Sequence, residues 1–219
     1  MNRQIDFILR NADQFGEGIL LTLQAAGISM VMALIWGLFV VFPRMSHNPW
    51  VRWPTRTYIE LFRNTPLLLQ IYLFYFSLPL IGLPLSALSS GALAIAVQHG
   101  AFFAEIYRGA IESIPQGQRK AALSIGMLPN QAMRLIIIPQ ALRRALPPMG
   151  NQLILLIKDT SLLSAIGVLE LTLTGKVLIE RSAASYEVFI AIACMYLVIT
   201  SILGTAIRFL EHRIHAKVD

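Results

Sequence analysis

The side chains most informative about chemistry are ionisable or amide groups set among apolar neighbours. Lys158 and Asp159 sit in an otherwise apolar stretch, with Asn151 one heptad before the lysine, Gln152 one before the aspartate, and Thr160 and Ser161 just after. On a helix these groups read as one polar stripe. It offers a donor and an acceptor at short range, which is what the carboxylate and ammonium of a zwitterion require. A second set, Glu60, Arg63 and Asn64, has i, i+3, i+4 spacing and also shares a face, and Pro66 lacks the N–H that would bond the Phe62 carbonyl, so a kink is expected there. Glu105 and Arg108, one turn apart, read as a helix-end ion pair. For the first two sets the plainer alternative is a polar packing cluster or a depth anchor. His47, His99, His212 and His215 recur with no metal-site spacing, so no metal is expected. The chain has no G-x-x-x-x-G-K-[ST] loop to cradle ATP and no glycine-framed serine nucleophile.

The elements that carry these groups are apolar. Of 219 residues 56% are hydrophobic and 14% charged, against roughly 25% charged in an ordinary soluble domain, and the mean hydropathy is +0.63. This excludes a water-soluble globule, a disordered chain and a disulfide scaffold; the single Cys194, inside an apolar run, reads as a small buried hydrophobe. Residues 19–42 are 24 positions without a charge, enough at about 1.5 Å per residue to cross a hydrocarbon core of about 30 Å. Residues 64–104 are 41 more, broken by Pro79 and Pro84, so two spans meet in a hairpin: one begins near Thr57 and the other covers 86–108. A fourth span is expected over 148–169 and a fifth over 188–207, where Thr200, Ser201, Gly204 and Thr205 give small-xxx-small spacing. An ionisable group at mid-bilayer costs at least about 2.5 to 3.5 kcal/mol on insertion scales, so the charges within these spans need a partner or a wet cavity.

Five spans put the termini on opposite sides. One side collects 13 of the 18 basic residues: Arg44, Arg52, Arg56 and Arg63, then Arg108, Arg119, Lys120, Arg134, Arg143 and Arg144, then Arg208, Arg213 and Lys217. The other side holds Arg3, Arg10, Lys176 and Arg181. The positive-inside rule places the first side in the cytoplasm, with the N-terminus outside and Trp50 and Trp53 as interfacial anchors. The net charge of +6 is thus explained by topology, and no nucleic-acid partner is expected.

The long cytoplasmic segment 111–147 reads as folded. Ser113-Ile-Pro115-Gln116 has the form of a capping box, residues 118–125 favour a helix, Gly126 stops it, and a second short helix opening at Leu128-Pro129-Asn130 must end or kink before Pro139. Ala121 and Ala122 leave a small face that fits a groove on a partner; the alternative is a basic helix lying on anionic lipid.

Here the chain resembles a known family. Ala121-Ala122, Gly126 and Ile136-x-Ile138-Pro139 are similar to the "EAA" loop of bacterial ATP-binding-cassette importer permeases. Phe62-Arg63-Asn64-Thr65-Pro66-Leu67-Leu68, Ala104-Glu105-Ile106-Tyr107-Arg108-Gly109-Ala110-Ile111, Gly117-Gln118, Pro139-Gln140-Ala141-Leu142 and Lys158-Asp159-Thr160-Ser161-Leu162 resemble its polar amino acid branch over nearly the whole chain. The resemblance implies an all-α, MetI-like transmembrane domain of five helices over residues 19–210, with an external segment 1–18 and a cytoplasmic tail 211–219. It implies a coupling loop carrying Gly117, Gln118, Lys120, Ala121, Ala122, Gly126 and Pro139 against an ATPase subunit. Lys120 stands where the family usually has glutamate, which implies either a compensating acidic residue on the ATPase or a second permease subunit that takes more of the docking. The chain itself is then no enzyme and binds no cofactor, ATP and Mg being held by the partner. The expected assembly, in a bacterial inner membrane, is a homo- or heterodimer of permeases with two ATPases and an external amino acid binding protein. The pathway would be bordered by Asn64, Gln152, Lys158, Asp159, Thr160 and Ser161.

Two other classes compete. An ion-coupled carrier usually needs internal repeats in a longer chain, and a membrane enzyme or scaffold has no catalytic constellation here.

Overall fold

A computed structural model of the chain describes residues 9–182 and 185–215; parts of the terminal segments 1–18 and 211–219, including Arg3 and Lys217, lie outside the described residues. The elements are helical throughout: α1 (Ala12–Arg44), α2 (Pro49–Asn64), α3 (Leu67–Ser77), α4 (Ala87–Glu112), α5 (Gln116–Ser124), α6 (Pro129–Ala132), α7 (Ile138–Asp159), α8 (Leu171–Ser182) and α9 (Ser185–His215).

Helix α4 is the axis of the molecule. It is buried along most of its length and carries an alanine- and glycine-rich face, Gly91, Ala92, Ala94, Ala96, Gly100, Ala101 and Ala104. Small residues let backbones approach closely, and packing of this kind drives helix association where lipid removes the hydrophobic incentive. The contact with α1 is the tightest. A Cβ at Gly37 would lie 2.7 Å from Phe103 Cβ, and one at Gly100 would lie 2.6 Å from Trp36 Cδ1, so each glycine makes room for the other helix's aromatic ring. The opposite side of α1 exposes Leu20, Val31, Ile35, Phe39 and Phe42, as a lipid-facing surface must. Tyr58 joins three helices, accepting from Trp36 Nε1 at 2.7 Å and donating to the Val97 carbonyl at 2.6 Å.

Three helices, α1, α4 and most of α9, are long and apolar enough to cross a membrane, and two bent pairs bring the number to five. The pairs are the informative part. The expected second span is broken at Thr65-Pro66: α2 and the segment that follows meet at 109°. Helix α2 starts at Asn48, whose side chain accepts from Trp50 N, and leaves Trp50 and Trp53 exposed. The expected hairpin forms as a single 3-10 turn, Pro79–Ile81, closed by Gly82 in the left-handed region at φ 81. The following helix is capped by Ser86, whose hydroxyl accepts from Ser89 N, close to the start expected for the third span.

The fourth span differs from its expected bounds. Helix α7 begins at Ile138, runs through Pro147 and Pro148, and ends at Asp159; residues Thr160–Ile166 tighten into a 3-10 helix before Gly167 reverses the chain. A 46° bend then leads into α8. Cys194 is exposed on α9 and does not pack as a buried hydrophobe. Of the small residues on α9, Gly204 is buried, where an added Cβ would lie 3.4 Å from Ile154 Cδ1, whereas Ser201 and Thr205 are exposed.

Candidate functional site

The break in the second span creates a polar problem inside an apolar bundle. The residue before a proline is pushed away from helical geometry, and Thr65 is extended at ψ 145. The carbonyls of Phe62 and Thr65 therefore lose helical partners, and two buried glutamines supply replacements. Gln70 Nε2 donates to them at 2.9 and 3.2 Å, and Gln98 Nε2 donates to both at 3.1 Å. Irregular backbone at membrane depth persists only where such partners exist, so Gln70 and Gln98 fix the elbow in place.

The elbow points Arg63 at α4. Its guanidinium lies 5.0 Å from the centre of the Phe102 ring, and that ring is 6.2 Å from His99. His99 is buried. It contacts Asp159 Oδ2 through Nε2 at 2.9 Å and Gln152 Nε2 through Nδ1 at 2.9 Å. With the glutamine amide donating to Nδ1, the neutral ring carries its proton on Nε2 and donates it to the carboxylate. Only 2% of the His99 side chain is exposed, against 37% of that of Asp159. The aspartate is thus held from behind and open in front.

The expected single stripe on the fourth span is in fact two. Gln152 and Asp159 face His99, but Asn151 and Lys158 are exposed on another side, because neighbours on a helix are about 100° apart and the heptad relation holds only within each pair. Lys158 and Ser161 line an open cavity of about 330 Å³ with Thr172, Phe189, Ala193 and Tyr196. Thr160 is fully buried and donates to the Ile157 carbonyl at 2.6 Å, which makes it part of the 3-10 turn. Asn64 is exposed at the end of α2.

Of the expected ion pairs, Glu105–Arg108 forms at 2.7 Å and extends into a network, with Arg44 on Glu105 at 2.9 Å and Arg108 also on Glu112. Glu60 and Arg63 do not pair. Glu60 takes Arg56 at 2.6 Å, one turn earlier, and leaves Arg63 to Phe102.

The loop 111–147 is folded on the body of the protein. Ile114 and Ile137 are buried with Ala110, Ala141 and Ala145. Helix α5 stops at Gly126, left-handed at φ 83, and a π turn at Met133–Ile137 leads into α7 just before Pro139. The expected capping box at Ser113 is absent: Ser113 closes α4 and donates to the Ala110 carbonyl, while Pro115 stands at the α5 cap. Ala122 is turned inward, so the exposed surface includes Gly117, Gln118, Arg119, Lys120 and Ala121 with Leu123, Ile125 and Leu128.

Residues 22–216 match the family model for the binding-protein-dependent transport system inner membrane component. The chain belongs to that family. A probable glutamine permease of Bacillus subtilis is 34% identical over 96% of this chain and 97% of its own length. The Escherichia coli glutamine transport system permease is 38% identical over 90% and 91%. Among solved structures, an amino acid ABC transporter crystallised with histidines superposes with a TM-score of 0.89 at 32% identity, covering 94% of this chain and 96% of that one. A methionine ABC transporter superposes at 0.80 with 18% identity and supports the fold alone. The protein is accordingly the membrane component of an importer complex, a permease whose ATP hydrolysis belongs to a separate subunit.

Two residues of this permease escaped the sequence reading. His99 enters the sequence reading only as a histidine without metal-site spacing; Gln152 and Asp159 meet it through the packing of α4 on α7. Glu170 is fully buried and accepts from Thr172 N at 2.8 Å, Leu173 N at 2.9 Å and the Tyr196 hydroxyl at 2.9 Å, so it caps the start of α8. A carboxylate just ahead of an apolar helical run was the available signal.

Proposed function

We propose that this permease carries polar amino acids across a bacterial inner membrane, with Asp159 as the acceptor for the substrate ammonium. The observation that carries the reading is the Asp159–His99–Gln152 group: a carboxylate oriented by a buried histidine and more than a third open, at the end of a largely apolar helix. The relatives named for glutamine, and the structure of an amino acid transporter with histidines, supply the substrate class. Arg63, held over Phe102 on the same side of α4, is the donor for the carboxylate end, with Asn64 beside it. Lys158 and Ser161 border a second stretch of the path toward α9, with Gln152 and Thr160 shaping it from within.

Five spans are too few to enclose a path alone, so the working assembly is a dimer of permeases, with a second copy or a related chain, on two ATPases that hold ATP and Mg. The external segment 1–18, the membrane domain 19–210 and the tail 211–219 follow the charge-based topology, N-terminus outside. Leu123, Ile125 and Leu128 on the coupling loop are the apolar contact for the ATPase, and Lys120 is its charged neighbour. Closure of the ATPases would move this loop, and with it α4 and α7, to which Ile114 and Ile137 anchor it. A binding protein delivers the solute from outside.

The test is uptake in vesicles containing permease, ATPase and binding protein. At equal membrane abundance Asp159→Asn and Lys158→Met should each reduce amino acid uptake, the aspartate change more strongly. Unchanged uptake in both removes the pathway assignment. Uptake by the permease with no ATPase present contradicts the importer mechanism.

A further inference from the structure

At the end of the bundle that carries α5, the end of α1, the start of α2, the end of α4 and the turn leading into α7 surround a cavity of about 480 Å³. Its polar wall is basic: Arg44, His47, Arg52, Arg108 and Arg119, with Glu112 the one carboxylate among its lining residues. Arg44 and Arg108 are partly neutralised by Glu105 and Glu112. Arg52 and Arg119 are exposed and form no ion pair or side-chain hydrogen bond among the described residues. They come from different elements, α2 and α5, yet border the same space. The rest of the wall is apolar, from Val41, Phe42, Ile111 and Ile138.

Those four apolar residues also line a second, smaller cavity of about 90 Å³ that continues along α1, α4 and α7 between Leu38, Tyr107, Ala141 and Leu142 and has no polar surface. A basic chamber thus opens into an apolar groove on the flanks of the membrane-crossing helices. We infer that this pair of cavities binds one anionic phospholipid, its phosphate in the arginine chamber and an acyl chain along the groove. Charge complementarity selects the phosphate, since two of the arginines have no other counter-ion. The groove selects a lipid over a free phosphate ion, which has nothing to place there. The site is separate from the Asp159 region and does not depend on which solute is carried.

The test uses the assembled permease and ATPase in nanodiscs, with retention of a labelled phosphatidylglycerol compared with phosphatidylcholine. Each basic side chain near a membrane surface contributes about a fivefold preference for anionic lipid. Arg52→Gln and Arg119→Gln should each lower the preference by about that factor, and the double substitution should bring the two lipids close to parity. Both side chains are exposed and unpaired, so the variants are expected to fold. Leu142→Trp, at the exposed mouth of the groove, should weaken lipid retention while leaving both arginines in place. Millimolar inorganic phosphate should not displace the lipid. Equal retention of the two lipids by the unsubstituted complex overturns the proposal, as does a preference unaltered in the double variant. Displacement by inorganic phosphate, or lipid retention indifferent to Leu142→Trp, identifies a free-anion site instead. Loss of preference only when the ATPase is bound identifies an acidic ATPase side chain as the occupant.

Discussion

Two acidic residues on neighbouring helices receive opposite treatment. Glu105, near the end of α4, is gripped by Arg44 and Arg108, and its side chain is 17% exposed. Asp159, at the end of α7, has His99 as its one partner among the described residues and is 37% exposed. A carboxylate that already takes three guanidinium hydrogen bonds has little acceptor capacity left for a passing solute, and its role is to pin α1 to α4. A carboxylate with one neutral donor behind it keeps an oxygen free. A charge in a membrane protein is therefore to be read by how completely it is satisfied, and not by its presence alone.

The sharpest way to break this contrast is to neutralise each carboxylate in turn. Asp159→Asn retains shape and a hydrogen-bonding oxygen beside His99 but loses the charge. A hydrogen bond to a charged group contributes about 1.5–3 kcal/mol, so uptake should fall by about ten- to a hundredfold while thermal stability stays close to that of the parent. If uptake holds and stability drops, Asp159 is a packing residue and the contrast fails. Glu105→Gln should do the reverse. It leaves the partly buried Arg44 without its counter-ion and Arg108 with Glu112 alone, a loss of about 1–3 kcal/mol, read as a lower unfolding temperature in detergent, with uptake per folded molecule largely kept.

The positions of these residues were only partly legible in the sequence. Spans built from uncharged runs, such as α1 and α4, stand out because length and hydropathy are additive along the chain and need no knowledge of neighbours. Pro66 marks its elbow for the same local reason. The face on which a side chain ends up is different, because it depends on which helix packs alongside. Asn151, Gln152, Lys158 and Asp159 read as one stripe only while α4 is missing from the picture; its histidine divides them. Ser113 likewise has the composition of a cap, yet α4 continues to Glu112 and uses that serine at its own end. The bounds of the fourth span were misplaced because Pro147 and Pro148 look like a start, although a helix already under way from Ile138 carries them.

Glu170 refines the contrast, since it is fully buried and satisfied without any cation, by two backbone N–H groups and a tyrosine hydroxyl. Glu170→Ala removes the cap of α8 and strands those donors, an effect of about 1–2 kcal/mol on stability. Glu170→Gln keeps one acceptor and should recover part of that loss. Full recovery would mean that shape, not charge, is what the cap requires.

The smallest effect belongs to Glu60, which tests the same principle from the other end. Its bond to Arg56 is short, 2.6 Å, but both side chains are more than half exposed, at 56% and 63%. Water or lipid headgroups can replace either partner, and holding two long side chains together offsets the attraction. Glu60→Gln should therefore leave the unfolding temperature unchanged within error, and Arg63, which uses Phe102 instead, should keep its place. A clear drop in stability would show that α2 is held down by its own charges. A drop in uptake with stability intact would instead move Glu60 into the path beside Arg63, so that the elbow at Pro66 would meet both charges of the solute and not its carboxylate alone.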